Sequence, residues 1–394
     1  MSVPVLVVSS SISTALSVVR SLGAASYHVE LFSIVKRKGG SKIVSSSKYL
    51  KASYECMRQD DEVIISRLKA LKADDRRKWA LFPIDDYCMS LLDRYSDSLK
   101  DIYYFPHIVG EGQGAITKRM DKSFQSRLAS ECGFLTPKEW VIPLGRDDLM
   151  IPEDVIYPCF VKPLSSIDGN KTEMGVCRNR EELARKLRLL GKSNPDRDIL
   201  VQEYLDISQE YSMSGVCQDQ TVIIPAIVKK YKIARFKNGA TLLGELVAMD
   251  EIGDVKDTIY RFLKRMHYAG MFDMEVMRVG DVFYFGELNL RSGGPNYSYF
   301  ASGVNLPAAA VQIMCGEQPD PLPGIRLHNI FFHEQDGWED YQHGYITGKE
   351  LRGFYRQADI LLIGNKDDPV PGKLYLRSVR VKKAKSIIKK LIGR

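Results

Sequence analysis

The 394-residue sequence lacks several features that define broad classes of protein. None of its apolar runs approaches the ~18 residues needed to span a bilayer, and its N-terminus has no basic region or cleavage site of a signal peptide. The seven cysteines contain no Cys-x-x-Cys spacing and the six histidines form no close pair, so neither a zinc site nor a disulfide framework is indicated. We therefore expect a cytoplasmic protein with reduced cysteines.

The body of the chain also lacks a surplus of charge. The net charge of +7 comes from residues 377–394, which contain eight Lys or Arg and no acid, whereas the rest of the chain has 48 basic and 49 acidic residues. A neutral body without a basic face interleaved with aromatic residues argues against a nucleic-acid binder.

The basic tail has the pattern of an amphipathic helix. Its aliphatic residues recur at helical spacing, at Ile387, Ile388, Leu391 and Ile392. Such a helix either docks on the body or lies on an anionic membrane surface, where each basic residue contributes about 1 kcal/mol. The second alternative predicts a peripheral contact with the inner membrane face.

The first 110 residues contain strand and helix signals in alternation. Residues 3–8, 29–35 and 79–84 are apolar runs typical of strands in a parallel sheet, and a serine-rich turn leads from the first into a helix. There is no Gly-x-Gly-x-x-Gly, so a dinucleotide site is not indicated. Asp85 and Asp86 follow a strand directly, which suggests either helix caps or contacts to a substrate amine.

Two apolar segments on either side of residue 280 predict an antiparallel hairpin. Residues 272–277 and 283–291 are joined by Gly280-Asp281, a dipeptide typical of hairpin turns. Alternation along the second strand places five residues on one face: Phe283, Phe285, Glu287, Asn289 and Arg291. Since burying an unpaired charge is costly, the polar members of this row need a compensating cation or ligand.

The polar members of the hairpin predict a magnesium site. Glu275 precedes Glu287 by twelve positions, so the two carboxylates can lie side by side across the hairpin. Asn289 adds a neutral oxygen ligand, and Mg²⁺ is usually bound by one or two carboxylates together with substrate phosphate oxygens. Arg291 would then face a phosphate or a developing oxyanion. The alternative is a structural Arg–Glu pair beside a hydrogen-bonded Asn.

The motif Glu-x-Asn-x-Arg, with a carboxylate a dozen residues upstream, resembles the metal site of the ATP-grasp superfamily. The resemblance covers residues 1–315 and is strongest to single-chain carboxylate-amine ligases such as the D-aspartate ligases, with carbamoyl phosphate synthases among the other members. It implies an α/β and α+β fold, in which a doubly wound pre-ATP-grasp domain precedes the two ATP-grasp subdomains. The implied segments are the pre-ATP-grasp domain (1–110), subdomain A (111–200), subdomain B with the metal site (201–318) and a C-terminal extension with the basic tail (319–394).

The resemblance also implies roles for individual residues. Lys122, on a predicted helix, and Lys162, at a predicted strand end, would contact the ATP phosphates. The adenine would contact a hinge strand that contains Gln202, Glu203, Tyr204 and Leu205, and the ribose hydroxyls would contact the carboxylate of Glu210. Arg235 would approach the acyl phosphate, and Arg291 would stabilise the charge that moves during the transfer. By pattern alone, Lys122 and the basic run around Arg235 are more typical of solvated surfaces.

The segment 164–175 would close over the phosphates, and here the sequence departs from the family. Only Gly169 and Gly175 occur where many members have a denser glycine cluster, so phosphate contacts would come from three polar side chains: Ser165, Ser166 and Lys171. A mobile loop is just as compatible with these residues.

The resemblance implies an ATP-dependent ligase that uses Mg²⁺ or Mn²⁺. ATP would phosphorylate a small-molecule carboxylate, and a small-molecule amine would attack the acyl phosphate with release of ADP and phosphate. The alternative is a nucleotide-binding regulatory or scaffold protein that keeps the fold without turnover. The sequence does not specify an oligomeric state, and a homodimer stays open.

Overall fold

The computed structural model describes residues 2–72, 75–144, 150–164, 173–193, 195–236 and 239–392, with side chains as far as residue 381. The strands are β1 (Val5–Ser9), β2 (Val29–Val35), β3 (Leu50–Met57), β4 (Trp79–Pro83), β5 (Tyr103–Tyr104), β6 (His107–Ile108), β7 (Glu139–Pro143), β8 (Cys159–Pro163), β9 (Gly175–Cys177), β10 (Asp198–Glu203), β11 (Gln209–Gln218), β12 (Thr221–Ile223), β13 (Ile227–Ile233), β14 (Thr241–Val247), β15 (Tyr268–Val279), β16 (Val282–Asn289), β17 (Ile330–Phe332) and β18 (Ile360–Leu361). The helices are α1 (Ser13–Ala24), α2 (Lys42–Ser45), α3 (Asp61–Lys72), α4 (Asp86–Arg94), α5 (Ala115–Arg119), α6 (Lys122–Glu131), α7 (Arg180–Ser193), α8 (Val255–Arg265), α9 (Asn296–Ala301), α10 (Leu306–Met314), α11 (Glu334–Gln342), α12 (Gly348–Gln357) and α13 (Pro369–Ile392).

The N-terminal part of the chain is built on a five-stranded parallel sheet with the order β3-β2-β1-β4-β5. Strands β1 and β2 are buried along their whole length. Alternate residues of β1 enter two separate hydrophobic cores, one on each face of the sheet, with Val5 and Val7 on one side and Leu6 and Val8 on the other. The parallel sheet predicted from the continuous apolar runs is confirmed.

The largest sheet has nine strands and contains the predicted hairpin. Its order is β16-β15-β11-β13-β14-β17-β18, with β12 paired to β11 and β6 paired to β15. Strands β15 and β16 pair in antiparallel fashion around Gly280, whose φ of +58° lies in the left-handed region that favours glycine. The sequence-based prediction of this hairpin is confirmed.

A β-bulge in β16 corrects one part of that prediction. The register shifts by one residue after the Glu275–Glu287 pair, which leaves Gly286 as the extra residue. A Cβ at position 286 would lie 2.8 Å from the carbonyl oxygen of Glu275, so the close approach of the strands requires glycine. Because of the bulge, Phe285 is buried in the core of the large sheet and Phe283 packs against that core. Strict alternation had placed both rings on the face of Glu287.

A third sheet has four antiparallel strands in the order β7-β10-β8-β9. Its own hydrophobic core is closed by α7, whose Leu183 and Leu187 pack on Val161 and Ile199. Strands β8 and β10 of this sheet carry several of the predicted nucleotide-binding residues.

Several elements near the expected segment boundaries join sheets through pairing with distant parts of the chain. Strand β6 pairs with β15, and α5 and α6 pack in the core of the large sheet. Strand β10 runs through residue 200 to Glu203 within the small sheet. The predicted helix that carries Lys122 is α6, which begins after Asp121, whose carboxylate accepts the backbone N–H of Phe124.

The C-terminal extension is integrated into the body. Strands β17 and β18 extend the large sheet, and Arg20 of α1 pairs with Asp368 at 2.9 Å with both side chains 1% exposed. Tyr375 and Val379 of α13 pack in a core that includes Leu16. The first half of α13 therefore docks on the protein, while the aliphatic tail residues of the predicted amphipathic helix lie beyond the described side chains. Across the described residues, no helix combines the length and apolarity needed to cross a membrane.

Candidate functional site

One cavity of about 790 Å³ lies where the three sheets meet. Its lining includes twelve of the residues for which the sequence predicted a role: Lys122, Lys162, Gln202, Glu203, Tyr204, Leu205, Glu210, Arg235, Glu275, Glu287, Asn289 and Arg291. These residues come from strands of the small and large sheets, from the segments that follow those strands and from α6, so the fold gathers positions that are up to 169 residues apart in the sequence.

Two lysines form the positive part of the cavity. Lys162 lies near the end of β8, opposite Leu200 of β10, and Lys122 is the first residue of α6. The Nζ of Lys122 donates a hydrogen bond to the carbonyl oxygen of Pro163 at 3.2 Å, which holds the two lysines close together. Burial and the neighbouring Lys122 charge lower the pKa of Lys162 to about 8. An anion placed between these lysines would relieve their mutual repulsion.

The hairpin provides the negative part of the cavity. Glu275 and Glu287 lie directly opposite each other on β15 and β16. The Nδ2 of Asn289 donates to Glu287 Oε1 at 3.2 Å, so the amide is turned toward the carboxylates. Burial, followed by the nearby carboxylates, holds the pKa of Glu275 above its usual range against the opposing effect of Lys230. A cation at this position would favour the charged carboxylates.

Lys230 is a central residue that the sequence analysis missed. Its side chain has no solvent exposure, and its Nζ lies 3.0 Å from Glu210 Oε2 and 2.9 Å from Glu275 Oε2. A third contact, at 3.3 Å, is to the carbonyl oxygen of Gly239. The interpretation of the basic run 229–235 as a solvated edge is wrong for Lys230, because β13 lies between β11 and β14 inside the large sheet. The local sign of its burial is that Lys230 lies two positions after the buried Val228 and therefore on the same face of β13.

Arg291 is held by a carboxylate from another domain. Its Nε and Nη2 donate to the two carboxylate oxygens of Asp86, at 3.0 and 3.2 Å. Asp86 is the first residue of α4, at the carboxyl edge of the parallel sheet, and it lines the same cavity. Asp85 is the helix cap, because its side chain accepts the N–H of Cys88. Of the two alternatives for this dipeptide, capping therefore applies to Asp85, whereas Asp86 faces the cavity.

A further buried carboxylate, Asp273, lies beside Asn289 in the hairpin register. Burial raises its pKa to about 6, and the charge of Arg291 opposes this rise. The Oγ of Ser214 donates to Asp273 at 2.9 Å. Sequence reasoning did not single out Asp273.

The end of β10 forms the other side of the cavity. The Nε2 of Gln202 donates to Glu139 Oε2 at 3.0 Å, and the backbone N–H groups of Glu203 and Tyr204 donate to carbonyls of neighbouring segments. Within the described part of the chain, the N–H of Leu205 has no hydrogen-bond partner. Apolar side chains from both sheets surround this region: Phe160, Val176, Ile233 and Met277. The combination suits a planar base with a polar edge.

Arg235 lies at the rim of the cavity on the turn after β13. Its side chain is exposed, while its backbone N–H and that of Phe236 donate to the two carboxylate oxygens of Asp340 at 2.9 and 2.8 Å. Phe236 also stacks on the ring of His343, with 3.8 Å between centroids. Helix α11 of the C-terminal extension therefore fixes this turn. Sequence reasoning did not connect the two segments, which are about a hundred residues apart.

The predicted phosphate contacts of Ser165, Ser166 and Lys171 lie outside the described residues. Among the side chains that the structure describes, there is no cluster of three or more His, Cys, Asp and Glu arranged to hold a metal ion. The hairpin offers two carboxylates and one amide. This set suits a cation that takes its remaining ligands from a phosphate or from water.

Comparison with solved structures identifies the fold. No family model matches the chain. The biotin carboxylase domain of 2-oxoglutarate carboxylase from Hydrogenobacter thermophilus, a dimer in complex with MgADP, ADP and bicarbonate, is 16% identical, with a TM-score of 0.66 over 84% of this chain and 74% of that one. L-amino acid ligase from Bacillus licheniformis is 14% identical, with a TM-score of 0.63 over 84% and 78%. N5-carboxyaminoimidazole synthetase from Staphylococcus aureus, complexed with ADP, is 12% identical, with a TM-score of 0.64 over 88% and 86%.

The mixed α/β fold of this chain is therefore similar to the folds of these three proteins.

Proposed function

We propose that the protein is an ATP-dependent ligase that joins a carboxylate to an amine through an acyl phosphate. The observation that carries the proposal is the division of charge within one cavity: Lys122 and Lys162 on one side, and the Glu275–Glu287 pair on the other. A nucleotide triphosphate with a bound divalent cation needs both kinds of group. The ADP and MgADP in the similar solved structures support the same assignment.

The residues fit the cofactors. Glu275, Glu287 and Asn289 would hold Mg²⁺ or Mn²⁺, which supplies charge neutralisation of the transferring phosphoryl group. In this proposal the parallel sheet is the pre-ATP-grasp domain, the four-stranded sheet is subdomain A, and the nine-stranded sheet is subdomain B. The adenine would lie at the end of β10 against the Leu205 N–H, with Glu210 near the ribose.

The proposed reaction has two steps. A carboxylate oxygen of the first substrate attacks the γ-phosphorus, and ADP leaves as the bond to the bridging oxygen breaks. The nitrogen of the amine then attacks the acyl carbon, the bond to the phosphate oxygen breaks, and the nitrogen passes a proton to water. Lys162 and Arg291 stabilise the negative charge that moves during transfer, and Arg235 lies at the entrance used by the substrates.

A screen of ADP release tests this function. Purified protein with Mg²⁺-ATP is offered L- and D-amino acids and small carboxylic acids, each with hydroxylamine as a nucleophile that traps acyl phosphates. We expect ADP release that depends on one class of carboxylate and is lost in Glu287→Gln. ATP binding without carboxylate-dependent ADP release would instead support the nucleotide-binding scaffold.

Two further expectations remain part of the proposal. The basic tail would bring a cytoplasmic enzyme to an anionic membrane surface. The dimeric state of the similar biotin carboxylase domain supports a homodimer, which sedimentation of the purified protein would test.

A further inference from the structure

The Asp86–Arg291 ion pair differs from a second long-range ion pair, found among the described residues, between the N-terminal part of the chain and the rest. Arg20 and Asp368 are both 1% exposed and lie in the interior, so their contact is structural. Arg291 and Asp86 are 19% and 18% exposed, and both line the cavity. Solutes that enter the cavity can therefore reach this pair.

Each partner is held in place by contacts other than the pair itself. Asp86 begins α4, whose start is fixed by the Asp85 side chain through the N–H groups of Cys88 and Ser10. Arg291 also donates to the carbonyl oxygen of Ser292 at 3.1 Å and to Asn289 Oδ1 at 3.1 Å. The ion pair can therefore open without loss of local structure.

The proposed reaction places an anion next to Arg291. When the acyl phosphate pairs with the guanidinium, Asp86 loses its counter-ion while it remains close to the new negative charge. Two like charges at this distance repel each other strongly in a partly buried cavity. A cation that binds beside Asp86 removes this repulsion, because Asp86 and the acyl phosphate then each have a positively charged partner.

We infer that Asp86 binds the ammonium group of the amine substrate. Without substrates, Asp86 and Arg291 pair with each other; with substrates bound, Asp86 pairs with the ammonium group and Arg291 with the acyl phosphate. This inference rests on the proposed ligase function and adds the class of the acceptor: a primary alkyl amine that is protonated in solution. The ammonium docks on Asp86, and the nitrogen attacks after it has passed a proton to water. Acceptors whose nitrogen is uncharged gain nothing from this contact.

The test compares two nucleophiles in the same enzyme. Glycinamide carries an ammonium group and no carboxylate, so it acts only as an amine, whereas hydroxylamine is largely uncharged at neutral pH. We measure kcat/KM for each at a saturating carboxylate and take their ratio in the wild type, Asp86→Asn and Asp86→Ala. The matched control is Asp61→Asn, which removes a carboxylate paired with Arg94 in the same domain but outside the cavity.

We expect the glycinamide to hydroxylamine ratio to fall at least tenfold in both Asp86 variants and to stay within twofold of wild type in Asp61→Asn. A general effect on Arg291 placement lowers both rates together and leaves the ratio unchanged. An unchanged ratio would therefore overturn the inference and leave Asp86 as a positioning residue for Arg291. If the wild type shows no carboxylate-dependent ADP release with glycinamide and none with hydroxylamine, the proposed function is overturned, and the inference with it.

Discussion

Replacement of Lys230 with methionine tests how the cavity is held together. The wild-type Nζ is fully buried between Glu210 and Glu275, which are 18% and 26% exposed. Methionine has a similar length but no charge, so the two carboxylates would face each other without a counter-ion. Breaking a buried pair by removal of one partner costs about 3–5 kcal/mol, and the partial exposure of the glutamates favours the lower end of that range. We expect a loss of about 3 kcal/mol in the free energy of unfolding.

The loss should depend on pH in a defined direction. Burial and neighbouring carboxylates already raise the pKa of Glu275, and Lys230 opposes that rise. Without the lysine the folded-state pKa rises further, so the penalty is complete above that pKa and disappears as the carboxyl takes up a proton at lower pH. Urea unfolding at about pH 5.5 and about pH 8.5 should therefore show the larger deficit at the higher pH.

Lys229→Met is the matched control for this experiment. Lys229 is the adjacent residue, and it pairs with Glu251 at the surface, where the side chains are 30% and 37% exposed. Surface pairs contribute about 0–1 kcal/mol, so this variant should remain close to the wild type. Equal losses in the two variants, or a Lys230→Met deficit that does not change with pH, would refute the buried bridge.

Four other predictions concern the same cavity and its surroundings. Glu287→Gln should abolish ADP formation at saturating Mg²⁺ while the circular dichroism spectrum stays native, and turnover near the wild-type rate would remove the metal-site assignment. Lys162→Ala should weaken ATP binding by about 2–3 kcal/mol in calorimetry, because it removes one charge-assisted contact to phosphate; unchanged affinity would exclude that contact. Asp340→Ala should lower the free energy of unfolding by about 2–3 kcal/mol and expose the turn at Arg235 to proteases, since two backbone N–H groups lose a buried carboxylate; resistance equal to wild type would contradict the anchoring role. Deletion of residues 382–394 should abolish salt-sensitive binding to vesicles with anionic lipid and spare ADP formation, because the docked residues Tyr375 and Val379 remain; a full-length protein that ignores such vesicles at low salt would exclude membrane contact.

The hairpin shows which parts of the site are predictable from sequence. Gly280-Asp281 fixes the turn, and the regular period of a strand then places Glu275 opposite Glu287 without any knowledge of the rest of the fold. The bulge at Gly286 limits this reasoning, since a single extra residue reverses the alternation on one side of it. Local rules therefore located the acidic pair and misplaced Phe285.

Other parts of the site depend on contacts between distant segments. Lys230 stands in a run of basic residues that is typical of a surface, and only its neighbours β11 and β14 bury it. Asp86 is 205 positions from Arg291, and Asp340 is 105 positions from Arg235. No local pattern links such residues. The same holds for β6 and β17, which join a sheet whose other strands lie elsewhere in the sequence.

The most direct test of the central claim follows the oxygen atoms of the carboxylate. The carboxylic acid found in the ADP-release screen is labelled with ¹⁸O in both carboxyl oxygens and incubated with the enzyme, Mg²⁺-ATP and glycinamide. An acyl phosphate intermediate predicts that each phosphate released carries one ¹⁸O, which mass spectrometry detects, and that the nucleotide product is ADP. Unlabelled phosphate, or AMP with pyrophosphate as the products, would contradict the account.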